Sequence, residues 1–279
     1  MILARKIKNY FGAESFIWKS IICLYYLINN PIDSILYFVF LILTRFNVYY
    51  TIKTKHKIKK IKFSVFNRPA WARARTFYSK EPETIKWIDS MLLGETIWDV
   101  GANVGVFTMY ASAKGLYCCS FEPSSANYYM LNKNIEINNF KNVKAYCLAF
   151  NNETVLGGLN MNTTDVGGAL SNFEMEDTKS SHFIQGMMGF TIDDFISLFK
   201  QEVPEHIKID VDGIEDKIIQ GMRETIKDKK LKTVLIEINH QSDKQYSEII
   251  NFFSENGFVL IKHERFKYGA TCNHIFIRA

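Results

Sequence analysis

The chain has 279 residues, 47% of them hydrophobic, with a formal net charge of +5 at pH 7, enough apolar material for one large core and a small appendage. The charge is uneven: residues 1–62 hold 11 Lys and Arg against 2 acids, a net +9, whereas the remainder holds 23 against 27, a net −4. A mildly acidic main body argues against a nucleic-acid substrate, because a groove that tracks phosphates would carry its lysines beside the active site.

In chain order, two apolar runs at 16–28 and 35–43 come first, separated by Asn29-Asn30-Pro31 and Asp33. Each is shorter than the roughly 20 apolar residues that span a bilayer. No small-residue cleavage site follows the first, which argues against a secretory signal. A basic strand or ribbon follows, from Lys53 to Lys62. Residues 1–60 therefore read either as a peripheral membrane anchor, with lysines on anionic lipid, or as a helical extension packed on the core or on a second copy of the chain. From there the pattern predicts a short strand at 61–66 and a helix at 82–92. Strand 96–100, helix 104–114, strand 116–121, helix 124–138 and strand 143–148 follow. Residues 151–190, rich in Gly, Asn and Met, read as irregular. Helix 191–200, strand 207–210, helix 214–226, strand 233–238, helix 245–255 and strands 258–262 and 274–278 complete the set. Alternating strands and helices with a final hairpin predict an α/β domain over 61–279, built on a mostly parallel sheet. Cys23, Cys118, Cys119, Cys147 and Cys272 are an odd count without a C-x-x-C pair and read as reduced thiols of a cytoplasmic protein.

The segment Ile97-Trp98-Asp99-Val100-Gly101-Ala102-Asn103-Val104-Gly105 is the most informative. An apolar run ends in an acid and two glycines before a helical pattern, as at a strand–turn–helix where a ligand approaches the backbone. Ser120-Phe121-Glu122-Pro123 then places a carboxylate at the tip of the next strand, suited to the two hydroxyls of a ribose. A dinucleotide fingerprint needs G-x-G-x-x-G, but Asn103 holds the middle position and no third glycine follows Gly105. A ligand without phosphates, such as S-adenosylmethionine, fits that turn better; an unadorned glycine turn is the plain alternative.

With these residues in place the chain resembles the FkbM-like S-adenosylmethionine-dependent methyltransferases. The resemblance runs from about Glu81 to the C-terminus. It rests on Glu81-Pro82-Glu83, Trp98–Gly105, Phe121-Glu122-Pro123, Leu131-Asn132-Lys133-Asn134-Ile135 with Asn138, Thr191-Ile192-Asp193-Asp194-Phe195, and Lys208-Ile209-Asp210-Val211-Asp212-Gly213-Ile214-Glu215. It implies a Rossmann-like, class I seven-stranded sheet with an antiparallel C-terminal hairpin. It further implies that Asp99 and Gly101 hold the methionine part of S-adenosylmethionine, that Asn103 and Gly105 shape the turn, that Glu122 takes the ribose, and that Asp165 lies on the adenine-side loop.

Strand alternation sets Lys208 and Asp210 on one side, an amine beside a carboxylate. Asp210 is expected as general base or ligand of the substrate hydroxyl, with Lys208 positioning it; a plain ion pair is the alternative. Glu237 and His240, at the end of the next strand, are expected in the same cleft, although the family has Glu-x-His and His240 falls one place late. Asp210, Asp212, Glu215 and Glu237 could offer oxygens to a magnesium-like ion, yet nothing demands a metal, and the absence of His and Cys clusters disfavours zinc. The expected activity is O-methyl transfer to a sugar hydroxyl of a bacterial surface glycan or secondary metabolite. A small-molecule or glycan acceptor is the expected partner, and a homo-oligomer stays open. A nucleotide-cofactor oxidoreductase and a non-catalytic glycan- or partner-binding module are the alternatives.

Overall fold

The computed structural model describes residues 48–65, 67–169, 171–174, 183–240, 243–265 and 271–279. The apolar runs at 16–28 and 35–43 and Cys23 lie outside the described residues. From Tyr49 onward the chain forms one compact unit.

It begins with an antiparallel hairpin, β1 (Tyr49–Lys53) and β2 (Lys60–Ser64), so the basic ribbon is a hairpin with Ile52, Ile61 and Phe63 buried beneath it. The expected domain boundary near residue 60 runs between these two strands. Helix α1 (Arg68–Arg75) was not visible in the sequence pattern; Asn67 caps it through a bond from the Ala70 N–H, and Pro69 occupies its first turn. Short α2 (Phe77–Lys80) and α3 (Pro82–Ser90) lead into the core.

The main sheet is built from β3 (Thr96–Val100), β4 (Tyr117–Phe121), β5 (Val143–Tyr146), β10 (His206–Ile209), β11 (Thr233–Asn239), β12 (Phe258–Arg265) and β13 (Thr271–Arg278). Its order is β12-β13-β11-β10-β3-β4-β5, and β13 alone runs antiparallel to its neighbours. Helices α4 (Val106–Lys114) and α5 (Ser125–Asn138) connect β3, β4 and β5 on one side. The chain then returns to lay β10 against the other edge of β3, so strand order reverses between β3 and β10. Ligands bind at that reversal, beyond the carboxyl ends of the strands. Trp98, Val100, Ile207 and Ile209 bury one face with α6 (Ile192–Phe199) and α8 (Asp243–Glu255); Ile97, Leu235 and Ile275 bury the other with α3 and α4.

Two expectations need correction. Residues 151–190 are not irregular: β6 (Ala149–Phe150), β7 (Val155–Met161), β8 (Ser171–Glu174) and β9 (Phe183–Phe190) form a second sheet of order β6-β9-β7-β8. Glycines hid it, because they weaken strand propensity. Here Gly158 pairs with Gly186, and a Cβ on Gly189 would lie 2.5 Å from the Phe173 ring, so the missing side chain admits that ring to the core. The helix expected at 214–226 is only α7 (Glu215–Gln220), followed by a 3-10 turn at Thr225–Lys227. Gly221 packs against the Asn151 carbonyl, and Asp193 accepts the N–H groups of Glu224 and Thr225, restarting the chain in a new direction.

Candidate active site

At the strand-order reversal the backbone of β3 nearly touches that of β10. Gly101 adopts φ +81°, and a Cβ there would fall 1.9 Å from the carbonyl oxygen of Asp210. Asn103 also lies in the left-handed region at φ +51°, one of few residue types that accept it. Gly105, at φ +83°, opens α4, and its missing Cβ makes room for Leu131 of α5. A cavity of about 60 Å³ lies above the turn, lined by Gly101, Asn103, Glu122, Asn127, Gly168, Asp210 and Asp212, among others.

Glu122 caps β4, only 4% exposed. One carboxylate oxygen accepts the Asn103 N–H at 2.7 Å, the other the Ser124 N–H at 2.9 Å. Burial nevertheless outweighs these bonds and pushes its pKa up to about 7. On the opposite wall Asp210 accepts a hydrogen bond from Lys208, whose side chain is 1% exposed and whose ammonium lies 4.9 Å from the centre of the Phe107 ring. Burial disfavours charge on both groups. The Lys208 ammonium overrides this at Asp210 and holds it ionised below the usual carboxylate range, with Lys80 and Arg73 adding to the effect. In turn Asp210, then Glu81 and Asp99, raise Lys208.

Glu237 follows Ile236, the partner of Ile209 in the β10–β11 register, and so stands abreast of Asp210. Burial, then the Asp210 charge, push it up to about 7. Glu215 at the start of α7 is pushed up to about 8, mainly by burial, against a bond from the Gly213 N–H. Two adjacent carboxyls, one held ionised and one poised near neutrality, are the arrangement that separates proton acceptor from proton donor.

Not every expected residue reaches the cavity. Asp99 lies in register with Lys208, but its carboxylate turns under α4, where it accepts the Thr108 hydroxyl at 2.6 Å; burial raises its pKa. Asp165 is exposed and contributes backbone, its carbonyl accepting the Gly168 N–H. His240 does not join Glu237: its ring packs 4.9 Å from Tyr246 and 5.2 Å from His274, beside Ile236 and Ile238 on the other face of the sheet. Among the described residues no group of His, Cys, Asp and Glu could hold a metal, and no helix is long and apolar enough to cross a membrane.

Asn67, Arg73 and Asn127, which the sequence did not single out, join Asn103 in gripping a strap at 166–168. Asn67 donates to the Val166 carbonyl at 2.8 Å and Arg73 to Gly167 at 2.9 Å, while Asn103 and Asn127 donate to Gly168 at 2.7 and 3.3 Å. Asn127 also accepts the Gly167 N–H at 2.7 Å. Asn127 sits in the first turn of α5, where a polar residue reads as a cap, so sequence gave no separate signal for it. Glu81 was legible only as part of Glu81-Pro82-Glu83; it is buried, accepting the Thr84 hydroxyl at 3.1 Å and the Asn273 amide at 3.2 Å.

This sheet order, with a glycine turn at the reversal and a carboxylate at the tip of β4, is the architecture of the class I, Rossmann-like methyltransferases. Residues 99–260 match the methyltransferase FkbM domain, and the chain belongs to that family. It is 27% identical to "Methyltransferase 1" of Beauveria bassiana over 180 residues, 57% of this chain and 72% of the relative. Among solved structures it is similar to the methyltransferase FkbM of Methylobacillus flagellatus, at 15% identity and TM-score 0.49, covering 75% of this chain and 51% of that one, so it spans about half of that relative. It is also similar to the magnesium protoporphyrin IX methyltransferase of Synechocystis, solved with bound S-adenosylmethionine, at 10% identity and TM-score 0.45, covering 75% of this chain and 81% of that one.

Proposed function

We propose that this methyltransferase uses S-adenosylmethionine to methylate a hydroxyl oxygen, with a sugar hydroxyl of a glycan or secondary metabolite as acceptor. The observation that carries the reading is Asp210, held ionised by a fully buried lysine, on the cavity wall across from Glu122. The donor set suits the cofactor. The Glu122 oxygens keep a free lone pair for a ribose hydroxyl beyond the Asn103 and Ser124 N–H groups and the Asn127 amide they already hold. Asp210 is held negatively charged beside a ligand that is net positive, and that ligand's charge in turn favours the ionised form of Glu122.

S-adenosylmethionine, when bound, supplies an electrophilic methyl group whose carbon–sulfur bond breaks as the carbon–oxygen bond forms, the sulfur keeping the electron pair. An aliphatic hydroxyl is a poor nucleophile, so it must lose its proton as it attacks. Asp210 accepts the hydrogen bond of that hydroxyl, sets its oxygen in line, and takes the proton. Lys208 keeps Asp210 ionised until then. Glu237, abreast of Asp210, is like Glu122 a carboxyl whose affinity for a proton matches neutral pH.

A cavity of about 60 Å³ is far below the roughly 300–1,000 Å³ of ligand sites, and we take the 166–168 strap, whose Gly168 lines the cavity, to lift as the cofactor enters. The test is calorimetric binding of S-adenosylmethionine, S-adenosylhomocysteine and NAD, followed by mass-shift screening of hydroxylated glycans. Glu122→Ala should weaken binding of the first two, and Asp210→Asn should abolish turnover with cofactor affinity nearly unchanged. Binding of NAD in their place, or an active Asp210→Asn variant, would overturn the cofactor or the base assignment respectively.

A further inference from the structure

The hairpin at the start of the compact unit carries charge that methyl transfer does not use. Residues 48–64 contain six lysines, Lys53, Lys55, Lys57, Lys59, Lys60 and Lys62, and no acid. All six are exposed, because Ile52, Ile61 and Phe63 occupy the buried side of the strands. Lys53 stands directly opposite Lys60 in the register. Like charges opposed across two strands destabilise a hairpin. Of the six, Lys55 alone forms an ion pair among the described residues, with Asp89 at 2.6 Å. Ile58 in the connecting turn and Tyr49 at the base add apolar surface, 37% and 38% exposed.

We propose that this hairpin is a docking surface for an anionic lipid bilayer, its lysines meeting headgroups and Ile58 entering the interface. Repulsion that no side chain of the hairpin neutralises is relieved by an external anion. The exposed isoleucine among the lysines favours lipid, since an aliphatic side chain gains by entering the acyl boundary while the lysines meet headgroups. The hairpin is also joined to the site. Tyr78 donates to the Lys53 carbonyl at 2.5 Å, and α1, which packs on both strands, carries Asn67 and Arg73 that grip the strap. This surface does not depend on the identity of the cofactor or acceptor.

The experiment is co-sedimentation of the full chain with phosphatidylserine–phosphatidylcholine vesicles, with pure phosphatidylcholine vesicles and duplex DNA as comparisons. The triple variant K53Q/K57Q/K60Q touches no buried residue and removes the like-charge pair, so its melting temperature should hold or rise. Membrane-proximal lysines contribute roughly fivefold each, so its affinity for anionic vesicles should fall about a hundredfold. Binding of the unaltered chain should also weaken with salt. Equal binding by the triple variant, equal binding to neutral vesicles, tighter binding to DNA, or no vesicle binding by the unaltered chain would each overturn the proposal.

Discussion

Gly101→Ala tests the close approach of β3 and β10 on which the site depends. Gly101 lies at φ +81°, where an alanine costs about 1–2 kcal/mol. Its Cβ would lie 1.9 Å from the Asp210 carbonyl oxygen and 2.9 Å from the carbonyl carbon, both backbone atoms that cannot rotate away. The strands must part by about 1 Å, overpacking that adds about 1–3 kcal/mol. They resist, because the Asp210 N–H is bonded to the Val100 carbonyl at 3.0 Å and the Gly101 N–H to Phe121 at 2.9 Å. The expected loss is about 2–5 kcal/mol. Gly94→Ala is the control: its φ is +84° but nothing lies within 4 Å of the added carbon, so backbone strain acts alone. Urea denaturation of both variants, compared at equal slope, isolates the steric contribution. A shift of about 1 Å in Asp210 should also lower turnover on the order of a hundredfold. A Gly101→Ala protein no less stable than Gly94→Ala would refute the reasoning.

Three further outcomes follow from named contacts. Asn67→Ser keeps an oxygen to cap α1 but deletes the bond to the Val166 carbonyl; loosening the strap by about 1 kcal/mol should speed cofactor association roughly fivefold in stopped-flow, and slower association would show that the strap does not gate entry. Glu122, Glu237 and Glu215 are raised to about 7, about 7 and about 8, so the native state holds protons that the unfolded chain has released. Stability of the ligand-free protein should therefore fall as pH rises from about 4.5 to 8; a chemical-denaturation profile that is flat or rising over that range would show these carboxyls to be solvated. Lys114 donates to the carbonyls of Ile88 at 2.8 Å, Asp89 at 2.7 Å and Met91, closing the C-terminal end of α3; Lys114→Met should cost about 3 kcal/mol or more, and a midpoint close to that of the unaltered protein would contradict this.

What the sequence determined by itself was local. The strand ending at Asp99-Val100, the glycine turn, Glu122 at the strand tip and the Lys208–Asp210 pairing each span only a few residues, so hydrophobic period, turn chemistry and strand alternation fix each one without reference to the rest of the chain. The alternation of strands and helices made the parallel sheet legible for the same reason. The tertiary structure decided what depends on partners distant in sequence. Gly158 and Gly186 make strands only because they pair across a sheet. Asn67, Arg73 and Asn127 become site residues only because the strap folds back between α1 and α5. His240 is one residue past a strand whose Glu237 faces Lys208, yet its ring packs against Tyr246 and His274 on the other face, where α8 and β13 supply the contact. Burial likewise raises the proton affinity of Glu237, whereas at Asp210 the Lys208 ammonium overrides it and the carboxylate stays charged. A carboxylate's proton affinity is set by what excludes water from it and by the nearest charge, and for Glu237 both the burial and the Asp210 charge come from segments distant in sequence.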